Sequence, residues 1–368
     1  MTTLSKSSTW LHQLSNSIFD RSATDFWLQQ INPLWSSTEA RGQIVARHQI
    51  AQDMYQLKVK CNRRMDFGEA GQHHPVFVEI NGIRYERSYS LTQLDRQHIA
   101  LNVKHVHGGL VSDWLCSKAK FGDYLSFGKP YGEVSLDHFQ SKRLVLLVAG
   151  SGITPAFSVL HALEKQNRLE DYRIQLKYWA STQREHAFIL QFKQWQERYA
   201  LFNVDFYSTQ AQSNTDNNDT TLKRLNATHL QSIQDLHDCA VFACGPSGFV
   251  ETAQSLCTDA KQFQGEAFYF STPSITASDS SEIELINIHL SRSNKQLQIP
   301  KGQSILTALE AHNIRPKHGC RMGICNKCAC PKVSGSTQHI ANKQTNHEAN
   351  QLLRICVNSA QSDIKLAL

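Results

Sequence analysis

Four cysteines lie where they could hold one redox-active group between them. In GCRMGICNKC, residues 319–328, Cys320, Cys325 and Cys328 follow a Cys-x4-Cys-x2-Cys spacing, and Cys356 follows after 27 intervening residues. Such a run with one distant cysteine is the spacing of a plant-type two-iron two-sulfur cluster, whose irons are held by four thiolates. A tight loop also lets backbone N–H groups point at the sulfurs, and Gly319 and Gly323 permit that close wrapping. Zinc sites more often combine two Cys-x2-Cys or Cys/His knuckles, and this pattern offers only one. Cys330 is surplus to four ligands and reads as a buried thiol.

Three further stretches carry phosphate or redox chemistry. Arg87-Ser88-Tyr89-Ser90 ends a strand-like run and places a fixed guanidinium fork suited to phosphate. Eighteen residues after Ser90, Gly108-Gly109-Leu110-Val111-Ser112 makes a glycine turn into a helix, whose first N–H groups favour a pyrophosphate. Next, VLLVAGSGITPAFSVL runs an apolar strand into Gly150, Gly152, Ile153, Thr154 and Pro155, then a helix. Pro155 stands where a Rossmann fingerprint has its third glycine. The glycines would let backbone approach phosphates, with Thr154 as N-cap and Pro155 at the first helical position. Last, VFACGPSGF ends a strand on Cys244-Gly245-Pro246, at the strand end where α/β sites form.

Together these stretches resemble the ferredoxin–NADP reductase superfamily, and GCRMGIC with the later LRICV resembles the ferredoxin domain attached to bacterial flavoprotein reductases. The resemblance implies FAD rather than FMN, with Arg87, Ser88, Tyr89, Ser90, Val103, His105 and residues 108–112 around it. Tyr89 would stack on the isoalloxazine, and Ser90 would hydrogen-bond near its N5. It implies a nicotinamide dinucleotide on the GSGITP loop, with Cys244 beside the nicotinamide and Gly245 and Pro246 in contact. Glu266 reads either as a nearby proton or hydrogen-bond partner or as an exposed carboxylate at a strand start. After the second strand of the sheet, Ser181, Thr182 and Arg184 could hold a 2′-phosphate, and no acid follows the strand before Glu185. NADPH is favoured, with NADH as the alternative.

The remaining chain must position these groups. Its 368 residues suffice for two or three domains. Residues 39–140 show short alternating strands and predict an antiparallel β-barrel for flavin. Residues 141–270 alternate strands with helices and predict a parallel α/β sheet for the dinucleotide. A Ser/Thr-rich linker covers 271–281. A β-grasp ferredoxin domain covers 282–368, with Ile305, Ala308, Leu309 and His312 on one helix face. The fold class is therefore multidomain α+β. TQAQSNTDNNDTT, residues 209–221, reads as an exposed insert. Residues 1–38 place Trp10, Leu11, Leu14, Ile18 and Phe19, then Phe26, Trp27, Leu28, Ile31, Leu34 and Trp35, at helical spacing. One or two amphipathic helices follow, packed on the next domain or in peripheral contact with a membrane. With no apolar signal segment, the protein is expected in the cytoplasm. Residues 282–368 hold 11 Lys+Arg against 5 Asp+Glu, which accounts for the whole net charge of +6. That excess suits an anionic partner or is simply a solvated face, and nucleic acid is not expected.

The domain order sets a two-electron hydride donor before a one-electron carrier, with the flavin as converter. INPLWS with ARGQIV, then RSYSLT, GGLVSDWL and GCRMGIC, are most similar to bacterial electron-transfer partners of stearoyl-CoA-type desaturases. That resemblance implies a membrane-bound di-iron desaturase as acceptor. The alternatives are the reductase of a soluble oxygenase, of the ring-hydroxylase or epoxidase type, or a cluster-bearing redox sensor.

Overall fold

The computed structural model describes residues 21–134, 138–210, 224–268, 284–319, 323, 326–340 and 344–368. The expected linker at 271–281 and most of the polar insert at 209–221 lie outside these residues. So do Cys320 and Cys325.

A closed six-stranded barrel comes first. β1 (Ala40–Ala51), β2 (Met54–Cys61), β3 (His73–Ile80), β4 (Ile83–Gln93), β5 (His98–Lys104) and β6 (Tyr124–Phe127) pair antiparallel in the order β1-β2-β5-β4-β3-β6. Alternation drives the closure. In β2, Leu57, Val59 and Cys61 turn inward while Lys58 and Lys60 face water. The β3–β4 hairpin turns on Asn81-Gly82, both at positive φ (53° and 71°), the geometry a two-residue turn between twisted strands demands.

The second unit is a parallel sheet in the order β11-β10-β7-β8-β9. Its strands are β7 (Arg143–Ala149), β8 (Arg173–Ala180), β9 (Phe202–Ser208), β10 (Ala240–Pro246) and β11 (Gln262–Phe268). The order in which strands are added reverses between β7 and β10, so the crevice at their carboxyl ends is the expected ligand site. The GSGITP loop and Cys244-Gly245 both end there. Barrel and sheet are not independent: Met54 and Val134 are buried in the sheet's own core. In addition, Ser158 Oγ donates to the Leu91 carbonyl at 2.7 Å.

The third unit is a mixed sheet of β13-β12-β19-β14-β17 with a three-stranded β16-β15-β18 beside it. Here β12 is Leu285–Leu290, β13 Lys295–Pro300, β14 Ala329–Ser334, β15 Thr337–His339, β16 Thr345–Asn346, β17 Gln351–Arg354, β18 Asn358–Ala360 and β19 Ile364–Leu366. A helix, Ile305–Ala311, buries Ile305, Leu306, Ala308 and Leu309 against the larger sheet. His312 does not share that buried face. It is the exposed C-cap, and its Nε2 lies 2.9 Å from the Gln298 carbonyl.

Of the leader, the structure describes a helix over Arg21–Ile31 that leaves Phe26, Trp27 and Ile31 exposed, followed by an exposed Trp35. No helix among the described residues is long and apolar enough to cross a membrane. Asp25 anchors the segment by accepting from Ser36 Oγ, the Ser37 amide and Thr38 Oγ1. Burial opposes its ionisation, but these hydrogen bonds overcome that and hold the carboxyl well below the usual carboxylate range. Replacing Asp25 with Ala removes the acceptor of three hydrogen bonds, each worth about 0.5–1.5 kcal/mol net. Amide exchange over residues 21–38 should accelerate at least about tenfold, while exchange in the barrel core stays unchanged.

Candidate active site

The site forms where strands of two units meet. His73 opens β3 and pairs in register with Ser90 on β4. Glu266 lies on β11 and pairs in register with Cys244 on β10. The side chains join across the boundary: His73 Nδ1 is 2.9 Å from Ser90 Oγ, and His73 Nε2 is 2.9 Å from Glu266 Oε2. Ser90, His73 and Cys244 are buried, and Glu266 is mostly so. Glu266 is thus not the exposed carboxylate of the second sequence reading. Burial first, and the Glu266 charge second, push the Cys244 thiol well above its ordinary pKa, so it stays protonated at neutral pH.

The dinucleotide loop closes on the same point. A Cβ at Gly152 would lie 2.1 Å from the Cys244 carbonyl oxygen, so only glycine lets the loop approach β10 this closely. Gly150, at φ +55°, makes the turn. The helix here is Ile153–Lys165 with Gly152 as N-cap. Thr154 is therefore not the cap: its Oγ1 donates to the Ser151 carbonyl at 3.1 Å. Pro155 occupies the third position, not the first, still within the turn where its missing N–H costs nothing. A short 3-10 turn at Gly150–Gly152 takes up the difference.

Arg87 and Tyr89 are half-buried on β4, and burial pushes the Tyr89 phenol up, keeping it neutral. The Arg87 Nη1 donates to the Glu86 carbonyl at 2.7 Å, and Tyr131 Oη bonds to Ser88 Oγ. The glycine turn leads into a short helix, Leu110–Asp113, continued by a π turn, Trp114–Lys118. Its leading amides have no carbonyl of their own helix to bond. Around Gly108, at φ +75°, space is open. Ser112 Oγ donates back to the Gly109 carbonyl at 3.0 Å. Val103 and Val111 are buried in the barrel core, so of these two only the backbone can reach a ligand. His105 lies 3.3 Å from Asp113.

Around the second strand, Thr182 Oγ1 bonds Glu185 at 3.3 Å, and Glu185 also pairs with Lys104 at 3.4 Å. Lys104 pairs with Asp53 at 2.9 Å and stands 3.6 Å from where a Gly150 Cβ would be. Ser181 is half-buried and Arg184 exposed. In the ferredoxin unit, Cys328 and Cys356 are buried with their sulfurs 3.1 Å apart. That is beyond the ~2.05 Å of a disulfide, so the two thiols are free and adjacent. Gly323, at φ +75°, brings the loop against Val357, and its carbonyl accepts from Arg354 Nη1. Cys330 is a free thiol buried on β14.

Sequence reasoning missed His73, Tyr131 and Lys104. His73 sits in HHPVFVEI, where two histidines open a strand, and Lys104 ends the strand before the glycine turn. Only the tertiary pairing gives either residue a role.

Comparison with known proteins agrees with this geometry. Residues 41–136 match the oxidoreductase FAD-binding domain, 146–255 the oxidoreductase NAD-binding domain, and 288–360 the 2Fe-2S iron-sulfur cluster binding domain. The chain is an oxidoreductase of the ferredoxin reductase type, carrying electrons from NAD(P)H through FAD to a two-iron two-sulfur cluster. It is 26% identical over 352 residues to an NADPH oxidoreductase of Mycobacterium tuberculosis, covering 93% of this chain and 88% of that one. A phthalate 4,5-dioxygenase reductase subunit of Pseudomonas putida is 24% identical over 330 residues, covering 87% and 94%. The glycine betaine monooxygenase reductase subunit of Chromohalobacter salexigens is 20% identical, covering 91% and 98%. The solved structure of phthalate dioxygenase reductase shares the fold, with a TM-score of 0.63 at 23% identity, covering 90% of this chain and 98% of that one.

Replacing Gly152 with Ala should force the loop off β10. The expected result is at least about a tenfold weaker Kd for the nicotinamide nucleotide, equal to ~1.4 kcal/mol, with flavin content unchanged. Equilibrium binding of the oxidised dinucleotide checks it.

Proposed function

We propose that this chain is the reductase component of an oxygenase, oxidising NADPH and passing electrons one at a time to that partner. The observation that carries the reading is the Ser90–His73–Glu266 chain, which sits between the flavin barrel and the dinucleotide crevice beside Cys244. The bound flavin supplies the conversion of a two-electron hydride donor into single electrons for the cluster.

The chain's residues hold and orient. Arg87 and the amides opening the helix at Leu110 would hold the flavin's pyrophosphate, and Tyr89 would pack on its ring. Gly150 and Gly152 admit the dinucleotide phosphates, with Lys104 as the nearby cation. Cys244, kept as a neutral thiol, shapes the nicotinamide pocket without adding charge. An ionised Glu266 accepts only, so His73 carries a proton on Nε2. A neutral His73 then accepts at Nδ1 and Ser90 donates to it, which would leave the Ser90 oxygen as an acceptor towards a bound flavin. Cys320, Cys325, Cys328 and Cys356 ligate the cluster. Ser181 and Arg184 take the 2′-phosphate of NADPH, since Glu185 is engaged by Lys104 and Thr182.

The dioxygenase and monooxygenase reductase subunits named above favour an oxygenase as acceptor over the membrane di-iron desaturase suggested by the sequence pattern. Loss of unsaturated lipid on deleting the chain would restore the desaturase.

In an anaerobic titration with NADPH, then NADH, flavin absorbance should bleach as a reduced-cluster EPR signal grows, with NADPH the better donor. In Cys356→Ser the flavin should still bleach without that signal. Bleaching without a cluster signal in the unaltered chain would overturn the relay.

His73→Ala breaks the bridge between Ser90 and Glu266. Flavin reduction should slow by up to about 100-fold, the penalty of a misplaced group, with flavin content and nucleotide Kd unchanged. Stopped-flow absorbance reads the rate.

A further inference from the structure

One contact ties the two ends of the electron path together. Lys327 lies in the cluster loop, beside Cys328. Its Nζ is 2.6 Å from Glu86 Oε1 on the barrel strand β4, 241 positions away in sequence. Glu86 directly precedes Arg87, and its carbonyl accepts from the Arg87 guanidinium. The Glu86 side chain is only 14% exposed, against 43% for Lys327. Lys327 Nζ also sits 5.5 Å from the centre of the Phe77 ring, which takes the Arg84 guanidinium at 4.3 Å. Phe77 is the in-register neighbour of Glu86 across the hairpin. The lysine therefore meets a carboxylate and an aromatic face together, with the carboxylate mostly buried and the ammonium exposed.

We propose that Lys327 and Glu86 form an electrostatic latch that docks the cluster loop on the flavin barrel and sets the distance for internal electron transfer. Rupture of the latch frees the loop to meet the acceptor. This rests on the relay reading above. In the step concerned, one electron leaves the reduced flavin and enters the oxidised cluster, with no bond formed or broken between them. Tunnelling falls exponentially with distance, so a pair that fixes the loop fixes the rate. Both residues act on position and touch neither reacting centre. Sequence reasoning could not see the pair, because Glu86 and Lys327 are ordinary charges until the tertiary fold joins them.

The test uses the full cofactor-loaded chain. A carbodiimide, which joins a carboxylate to an amine only in direct contact, should give a cross-linked peptide containing Glu86 and Lys327 at low salt. The yield should drop at high salt, where charge pairs are screened. Absence of that peptide at low salt, with other cross-links present, overturns the latch whether or not the relay operates. In Glu86→Gln, stopped-flow flavin reduction by NADPH should be unchanged. Flavin-to-cluster transfer should slow about tenfold, equal to ~1.4 kcal/mol of lost docking. The exchanged pair Glu86→Lys with Lys327→Glu should regain both cross-link and rate, with cluster content verified by absorbance. Transfer at the unaltered rate in Glu86→Gln overturns the proposal. Failure of flavin reduction itself in the unaltered chain would instead count against the relay.

Discussion

The Ser90–His73–Glu266 chain is the contact on which the rest of the arrangement depends. It needs β3 and β4 in a register that pairs His73 with Ser90, and β10 and β11 in one that pairs Cys244 with Glu266. A slip of one residue in either sheet would turn the relevant side chain to the opposite face. It also needs the two sheets at fixed separation, which explains why Met54 and Val134 of the first unit are buried in the core of the second. A hinge at this boundary would open hydrogen bonds that the buried His73 could not replace with water. Flavin barrel and dinucleotide sheet are therefore one body as far as the chemistry is concerned.

The cluster-bearing unit is held differently. The contact described between it and the barrel is a charge pair and an aromatic face, and the chain joining it to the sheet runs through the Ser/Thr-rich stretch at 271–281. Charge pairs weaken with salt and re-form easily, whereas a shared apolar core does neither. The hydride donor and the flavin must be aligned to within ångströms, and a rigid core suits that. On the proposed reading the cluster would serve both the flavin and an outside acceptor, and a reversible contact suits that.

Much of this was legible in the sequence because the motifs are local. The Cys-x4-Cys-x2-Cys run, GSGITP and CGP carry their own geometry within a dozen residues, and strand alternation outlined the barrel around them. What escaped was of two kinds. Residues such as His73 and Lys104 gain their roles from neighbours far away in sequence, Glu266 for the first and Glu185 for the second. Helix starts were misjudged by local propensity: Thr154 looks like a cap, yet the approach of Gly152 to the Cys244 carbonyl moves the helix start upstream. In the same way His312 has the helical spacing of a core residue but falls where the helix has already ended.

The charge of the last unit also changes meaning once folded. Its surplus of basic residues reads, by count, as a face for an anionic partner. Lys332, however, is wholly buried and donates to the Asn346 carbonyl and side chain. Lys301 is paired with Glu284 and Lys327 with Glu86, while Arg354 holds the Gly323 carbonyl of the cluster loop. Among the described residues, Arg292, Lys295, Arg315 and Lys317 are exposed cations. Hydrogen bonds to neutral groups leave the charge of Lys332 in place, so its burial moves part of the basic excess inward without cancelling it.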